Sequence, residues 1–168
     1  MEPMISQCRY LLALAEPILA GLDDSHRALE PQIGTKTAGW LIGHLAVSGD
    51  FARRLCRRQP PLCPVQWRSL FNPGTQPSHE PSDYPRMSSL CEALPLVYSD
   101  LCDHVSDVDR HLLASENPFA PARAAFPTSG EFVAYVMTGH LGYHLGQLVA
   151  WRAAAGLGRL RRPDKLAA

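Results

Sequence analysis

An all-α four-helix bundle is what the sequence predicts, on three observations. Four separate segments carry apolar residues at the helical period of about 3.6, no segment alternates as a half-buried strand would, and no internal repeat divides the chain. One domain spanning residues 1–168 is expected, because a chain of 168 residues buries about 70% of its unfolded surface without help from disulfides.

The first helix is read from Met4 to about Leu22, with Ile5, Cys8, Leu11, Leu12, Ala15, Ile18, Leu19 and Leu22 on one face. Pro17 is expected to kink or shorten it, since its ring nitrogen has no proton to give the preceding turn. A polar connection from Asp23 to about Lys36 holds Pro31 and Gly34 and offers Thr35 or Thr37 as a cap for the next helix. The second helix is read from Ala38 to Arg58. Trp40, Leu41, His44, Leu45, Val47, Ser48, Phe51 and Leu55 run along it, and Arg53, Arg54, Arg57 and Arg58 gather where a helix C-terminus favours cations.

Residues 59–86 form a long connection containing Pro60, Pro61, Pro64, Pro73, Pro77, Pro81 and Pro85, a density that argues against regular helix or strand. Trp67, Leu70, Phe71 and Tyr84 within it predict a loop packed onto the body, as loops covering a site are. Ser89 and Glu92 suggest a capping box for the third helix, whose stripe is Leu90, Leu94, Val97, Leu101, Val105, Val108 and Leu112, with a bend expected at Pro95. A second connection, Glu116 to Pro127, leads to a capping box of Thr128 and Glu131 and a last helix reaching about Ala155. There Gly156 and Gly158 act as stops, and Pro163 prevents resumption. The intervals are too long for an up-down order to be read from loop length.

Composition excludes several functions. Hydrophobic residues make up 46% and charged residues 19%, a globular balance. Sixteen basic residues offset sixteen acidic ones, so no net field attracts nucleic acid or an anionic membrane; Arg159, Arg161 and Arg162 read as a solvated helix end. The five cysteines are odd in number and form no C-x-x-C pair, which suits reduced thiols in the cytoplasm. The start Met-Glu-Pro-Met lacks a signal-peptide pattern, and no run of about 18 apolar residues is present to span a membrane.

Of seven histidines, three share a pattern. His140 and His144 are four apart on the last helix, about 40° and about 6 Å from each other, so both imidazoles can converge on one ion. They continue the stripe of Val133, Val136 and Met137 into the core, where unpartnered imidazoles would be penalised. His44 lies independently in the apolar stripe of the second helix, between Trp40 and Ser48. Three neutral imidazoles leave a coordination position open on a divalent metal, with zinc the default and nickel a competitor. Gln147 shares the face of His140 and His144 and could bond a ligand imidazole or sit satisfied at the core edge. Tyr143 could donate into the cavity or simply pack. His26, His79, His104 and His111 read as surface residues, and Asp50, about 120° from His44 in projection, as facing solvent or another helix.

Trp40-x-x-Gly43-His44-Leu45, followed by His140-x-x-x-His144-x-Gly146-Gln147-Leu148 with Arg152 and Gly156, resembles the DinB/YfiT-like superfamily of metalloenzymes over essentially the whole chain. The resemblance implies an up-down-down-up bundle, a metal on His44, His140 and His144, and a homodimer. Characterised members include a mycothiol-dependent maleylpyruvate isomerase and bacillithiol transferases. The expected function is therefore a metal-dependent transferase or isomerase-like enzyme joining a low-molecular-weight thiol to a small-molecule substrate. A metal-dependent hydrolase of a small molecule and a non-catalytic, metal-stabilised stress-related binding protein are the alternatives.

Overall fold

Helical elements dominate the computed structural model, which describes residues 2–57 and 59–158. In chain order they are α1 (Glu2–Leu19), α2 (Ala38–Cys56), the short α3 (Trp67–Phe71), α4 (Met87–His104), the short α5 (Arg110–Ala114), α6 (Ser129–Tyr135) and α7 (Leu141–Ala154). A π turn, Val136–His140, joins α6 to α7 as one composite rod. The fold is all-α; among the described residues the sole strand-like pairing is an isolated bridge between Glu116 and Thr128.

The four rods surround a single apolar core. Leu41, Ile42 and Leu45 of α2 meet Leu94, Tyr98 and Leu101 of α4 and Met137, Leu141 and Leu148 of the composite rod, all nearly inaccessible. Each such side chain contributes about 1.5–3 kcal/mol. α1 packs on α4 and α7, and α2 packs on the same two partners, which puts the consecutive helices α1 and α2 on one diagonal. Diagonal neighbours cannot be joined by a tight turn, and this accounts for a long connection after α1 and another after α4.

Local chemistry sets the helix ends. Thr37 caps α2 by accepting from Trp40 N at 3.2 Å. Thr128 and Glu131 form the expected reciprocal box: Thr128 Oγ1 accepts from Glu131 N at 3.3 Å, and Glu131 Oε2 accepts from Thr128 N at 2.9 Å. α7 stops at Gly156, whose φ of 74° is the left-handed conformation glycine tolerates.

Several boundaries differ from expectation. α1 runs through Pro17 and ends at Leu19; the proline sits in the final turn, where few bonds depend on it. The Ser89–Glu92 box is not used. α4 starts at Met87, three residues before the Leu90 that a Ser89 cap would place first, and its first amide, Met87 N, donates to the carboxylate of Asp24 at 2.8 Å, a cap supplied from 63 residues upstream. α4 also ends at His104, and Val105, still buried, opens a 3-10 turn instead of a further helical turn. The connection after α2 does contain a helix: α3 falls between Pro64 and Pro73, the widest proline-free window of the segment. Its Trp67 and Phe71 are buried against the body, as is Tyr84. The residues Arg58, Arg159, Arg161, Arg162 and Pro163 lie outside the described residues.

Gly43 explains how α3 approaches so closely. A Cβ on it would lie 2.5 Å from Phe71 Cζ, inside the fully buried ring. Gly43→Ala is expected to cost about 1–3 kcal/mol by overpacking, read as a lower urea midpoint with an unchanged slope.

Candidate metal centre

α2 supplies His44, and the composite rod supplies His140 from the end of its π turn and His144 from the first turn of α7. One ring nitrogen from each of the three lies within 4.8 Å of the other two. His44 Nε2 and His140 Nε2 are 3.1 Å apart, and the His140 and His144 rings meet edge to face at 4.6 Å. This arrangement could bind a divalent metal ion.

The outer nitrogens fix the tautomers. His44 Nδ1 is 2.7 Å from the carbonyl oxygen of Phe71, which only accepts, so Nδ1 carries the proton and Nε2 presents a lone pair inward. His144 Nδ1 donates in the same way to Gln147 Oε1 at 2.7 Å, and the Gln147 amide donates onward to the Tyr143 hydroxyl at 3.2 Å. Trp40 stacks on His44 with ring centroids 4.6 Å apart and planes 8° from parallel, and its indole N–H is held by Thr75 Oγ1 at 2.9 Å. His44 is thus clamped on its face and at its outer edge.

Burial holds these imidazoles neutral, the form that ligates metal. His44 is pushed down to about 4 by desolvation, although the Phe71 carbonyl opposes the shift. Desolvation, then the His144 and His44 charges, bring His140 to about 3. Desolvation also lowers His144, against the bond from Gln147. His140 Nδ1 is buried without a hydrogen-bond partner. One inward ring nitrogen from each of the three neutral imidazoles is a donor set that fits a divalent cation.

Beside the histidines opens a cavity of about 640 Å³. His44 and His140 form part of its wall, Phe51, Phe119, Phe126 and Phe132 part of its apolar surface, and Arg54 and Arg68 its charged portion. That volume falls in the range of small-molecule sites, about 300–1,000 Å³.

Other expectations need correction. Tyr143 is 62% exposed and does not donate into the cavity; its hydroxyl accepts from Gln147 outside the cluster. His26 is not a plain surface residue. Its Nδ1 accepts from Asp23 N at 3.1 Å, closing a capping box, and its ring packs edge-on against Trp151 at 5.9 Å. Asp50, 3% exposed, faces neither solvent nor the histidines: it accepts from Arg53 Nε at 3.1 Å and from Leu62 N at 3.0 Å, tying α2 to the proline-rich connection. His79 and His111 are exposed, as expected, whereas His104 is half-buried with its Nδ1 2.8 Å from the Asp100 carbonyl oxygen.

Two site features escape residue patterns. The Phe71 carbonyl is a backbone group 27 residues from His44, without a sequence signature. The π turn differs from α-helix by one skipped hydrogen bond and leaves no periodic mark over five residues; Thr138, whose hydroxyl donates to Ala134 O at 2.7 Å, and Gly139 are its only local hints.

Comparison with known proteins adds three findings. The family model described as the DinB superfamily matches residues 7–148. A solved structure, "Crystal structure of the conserved protein of locus from Enterococcus faecalis", superposes with a TM-score of 0.68 at 16% identity, over 94% of this chain and 97% of that one. That likeness speaks to the fold. No curated protein matches the chain.

Proposed function

From the premise that this chain belongs to the DinB superfamily, we propose that His44, His140 and His144 hold one divalent metal ion, zinc or nickel, at the centre of a small-molecule enzyme. The reaction class is transfer or isomerisation that depends on a low-molecular-weight thiol. The metal part rests on one observation above the rest: inward lone pairs from two separate rods, their tautomers fixed from outside, meet beside a cavity of about 640 Å³. The thiol part rests on the family resemblance.

A divalent cation supplies Lewis acidity, which lowers the pKa of a coordinated thiol and so favours the reactive thiolate at neutral pH. The chain's own residues position and insulate. His44, His140 and His144 act as neutral ligands and not as proton carriers, because burial keeps them unprotonated. Phe71 O and Gln147 Oε1 keep two Nδ1 protons pointed away from the centre. The phenylalanines of the cavity wall offer an apolar surface to the body of a substrate beside the histidines.

Protein purified without a histidine tag, reconstituted with zinc or nickel, should contain about one equivalent of metal by elemental analysis. It should then form an adduct between a cellular thiol and a reactive electrophile faster than metal-free protein. Metal-dependent hydrolysis without thiol consumption would replace the thiol reading with the hydrolytic one; absence of any bound metal would end both. Gln147→Leu removes the acceptor that orients His144 and is expected to weaken metal binding about 10–100-fold, measured by competition with a chromogenic chelator.

A further inference from the structure

We propose that the cavity beside the histidines takes an organic acid, its apolar body against the phenylalanines and its carboxylate between Arg54 and Arg68. This deepens the reading of the site as a metal enzyme's substrate pocket and rests on it for the chemistry, though not for the binding.

The cavity follows one face of α2, from His44 through Val47, Ser48 and Phe51 to Arg54. Ten residues of helix rise about 15 Å, and a long side chain leans back over the preceding turn. Arg54 does so: its guanidinium carbon lies 5.8 Å above the Phe51 ring. An acid held there presents its far end toward His44 and His140.

Charge around this end is unbalanced. Arg53 and Arg54 share Asp50, but Asp50 bonds Arg53 at 3.1 Å and stands 3.7 Å from Arg54 Nε, beyond hydrogen-bond reach. Asp100, the next carboxylate, also turns to Arg53, at 3.5 Å. Arg54 Nε is buried without a partner. Arg68, on α3, lines the same cavity and has no ion pair among the described residues. Burial, and after it the charge of Arg68 across the same cavity, hold the Arg54 guanidinium below its ordinary value, with Asp50 opposing the shift. Guanidinium donors match a carboxylate's two oxygens, and the phenylalanine wall rejects a wholly polar anion.

The test compares 4-phenylbutanoate with 4-phenylbutan-1-ol, equal in body and different in charge, by isothermal titration calorimetry on the full chain. The carboxylate should bind about tenfold tighter than the alcohol, the increment of one charge-assisted pair. Arg68→Met should bring the two within about twofold while leaving the thermal midpoint unchanged, since Arg68 has no structural partner to lose. Arg68→Lys should restore part of the preference. An alcohol bound as tightly as the acid, a preference that survives Arg68→Met, or no saturable carboxylate binding overturns the proposal. His144→Ala separates this from the metal reading: it should keep the preference for the acid, and Arg68→Met should keep the metal.

Discussion

His144→Ala is expected to strip the protein of metal, lowering affinity by more than the about 10–100-fold typical when only an outer partner of a ligand is lost. Two donors, His44 and His140, remain in the variant, too few to hold an ion as the three do. The measurement is elemental analysis after exhaustive dialysis, with His79→Ala as a control, since His79 is 64% exposed in its side chain and remote from the cluster. Wild type and control should each retain about one equivalent, and His144→Ala close to none. Full retention by His144→Ala would mean that the three rings do not act as one ligand set.

The largest effect on stability is expected at Arg53. Its side chain is 2% exposed and binds Asp50 Oδ1 at 3.1 Å, Gln59 Oε1 at 3.2 Å and the Pro60 carbonyl. Arg53→Met keeps most of the volume but leaves Asp50 buried with one amide donor, Leu62 N, and a distant Arg54. Breaking a buried pair from one side costs about 3–5 kcal/mol, which for a chain of this size lowers Tm by roughly 10 °C. Replacing Asp50 as well, by Leu, should recover part of the loss, because the uncompensated charge goes with it. A single variant as stable as wild type would show that the Arg54 ion pair suffices for Asp50.

How far the sequence could be read follows from where each determinant lies. The α2 and α6–α7 segments were legible because their apolar residues, caps and stops are local, and the Thr37 and Thr128 caps stand where side-chain chemistry demands them. The cluster of His44, His140 and His144 was legible because two helical stripes each carried an inward imidazole. Features made by distant partners were not. The start of α4 depends on Asp24, the orientation of His44 on the Phe71 carbonyl, and the burial of Asp50 on Leu62 and Arg53. Proline counting missed α3 because spacing, not number, decides whether one turn of helix fits between rings.

The π turn at Val136–His140 sets a rotational phase within the composite rod. Upstream of it Phe132 and Tyr135 line the cavity, its first residue Val136 does too, and at its end His140 lines the same cavity while turning a nitrogen to the cluster. Regularising the turn to α-helix at unchanged chain length would swing the two halves of the rod by up to about 100° relative to each other, one residue's advance. The recognition wall and the donor atoms would then face different directions, although every side chain of both remained. The turn's hydrogen-bond pattern, more than the side chains that make it, consequently keeps both on one side.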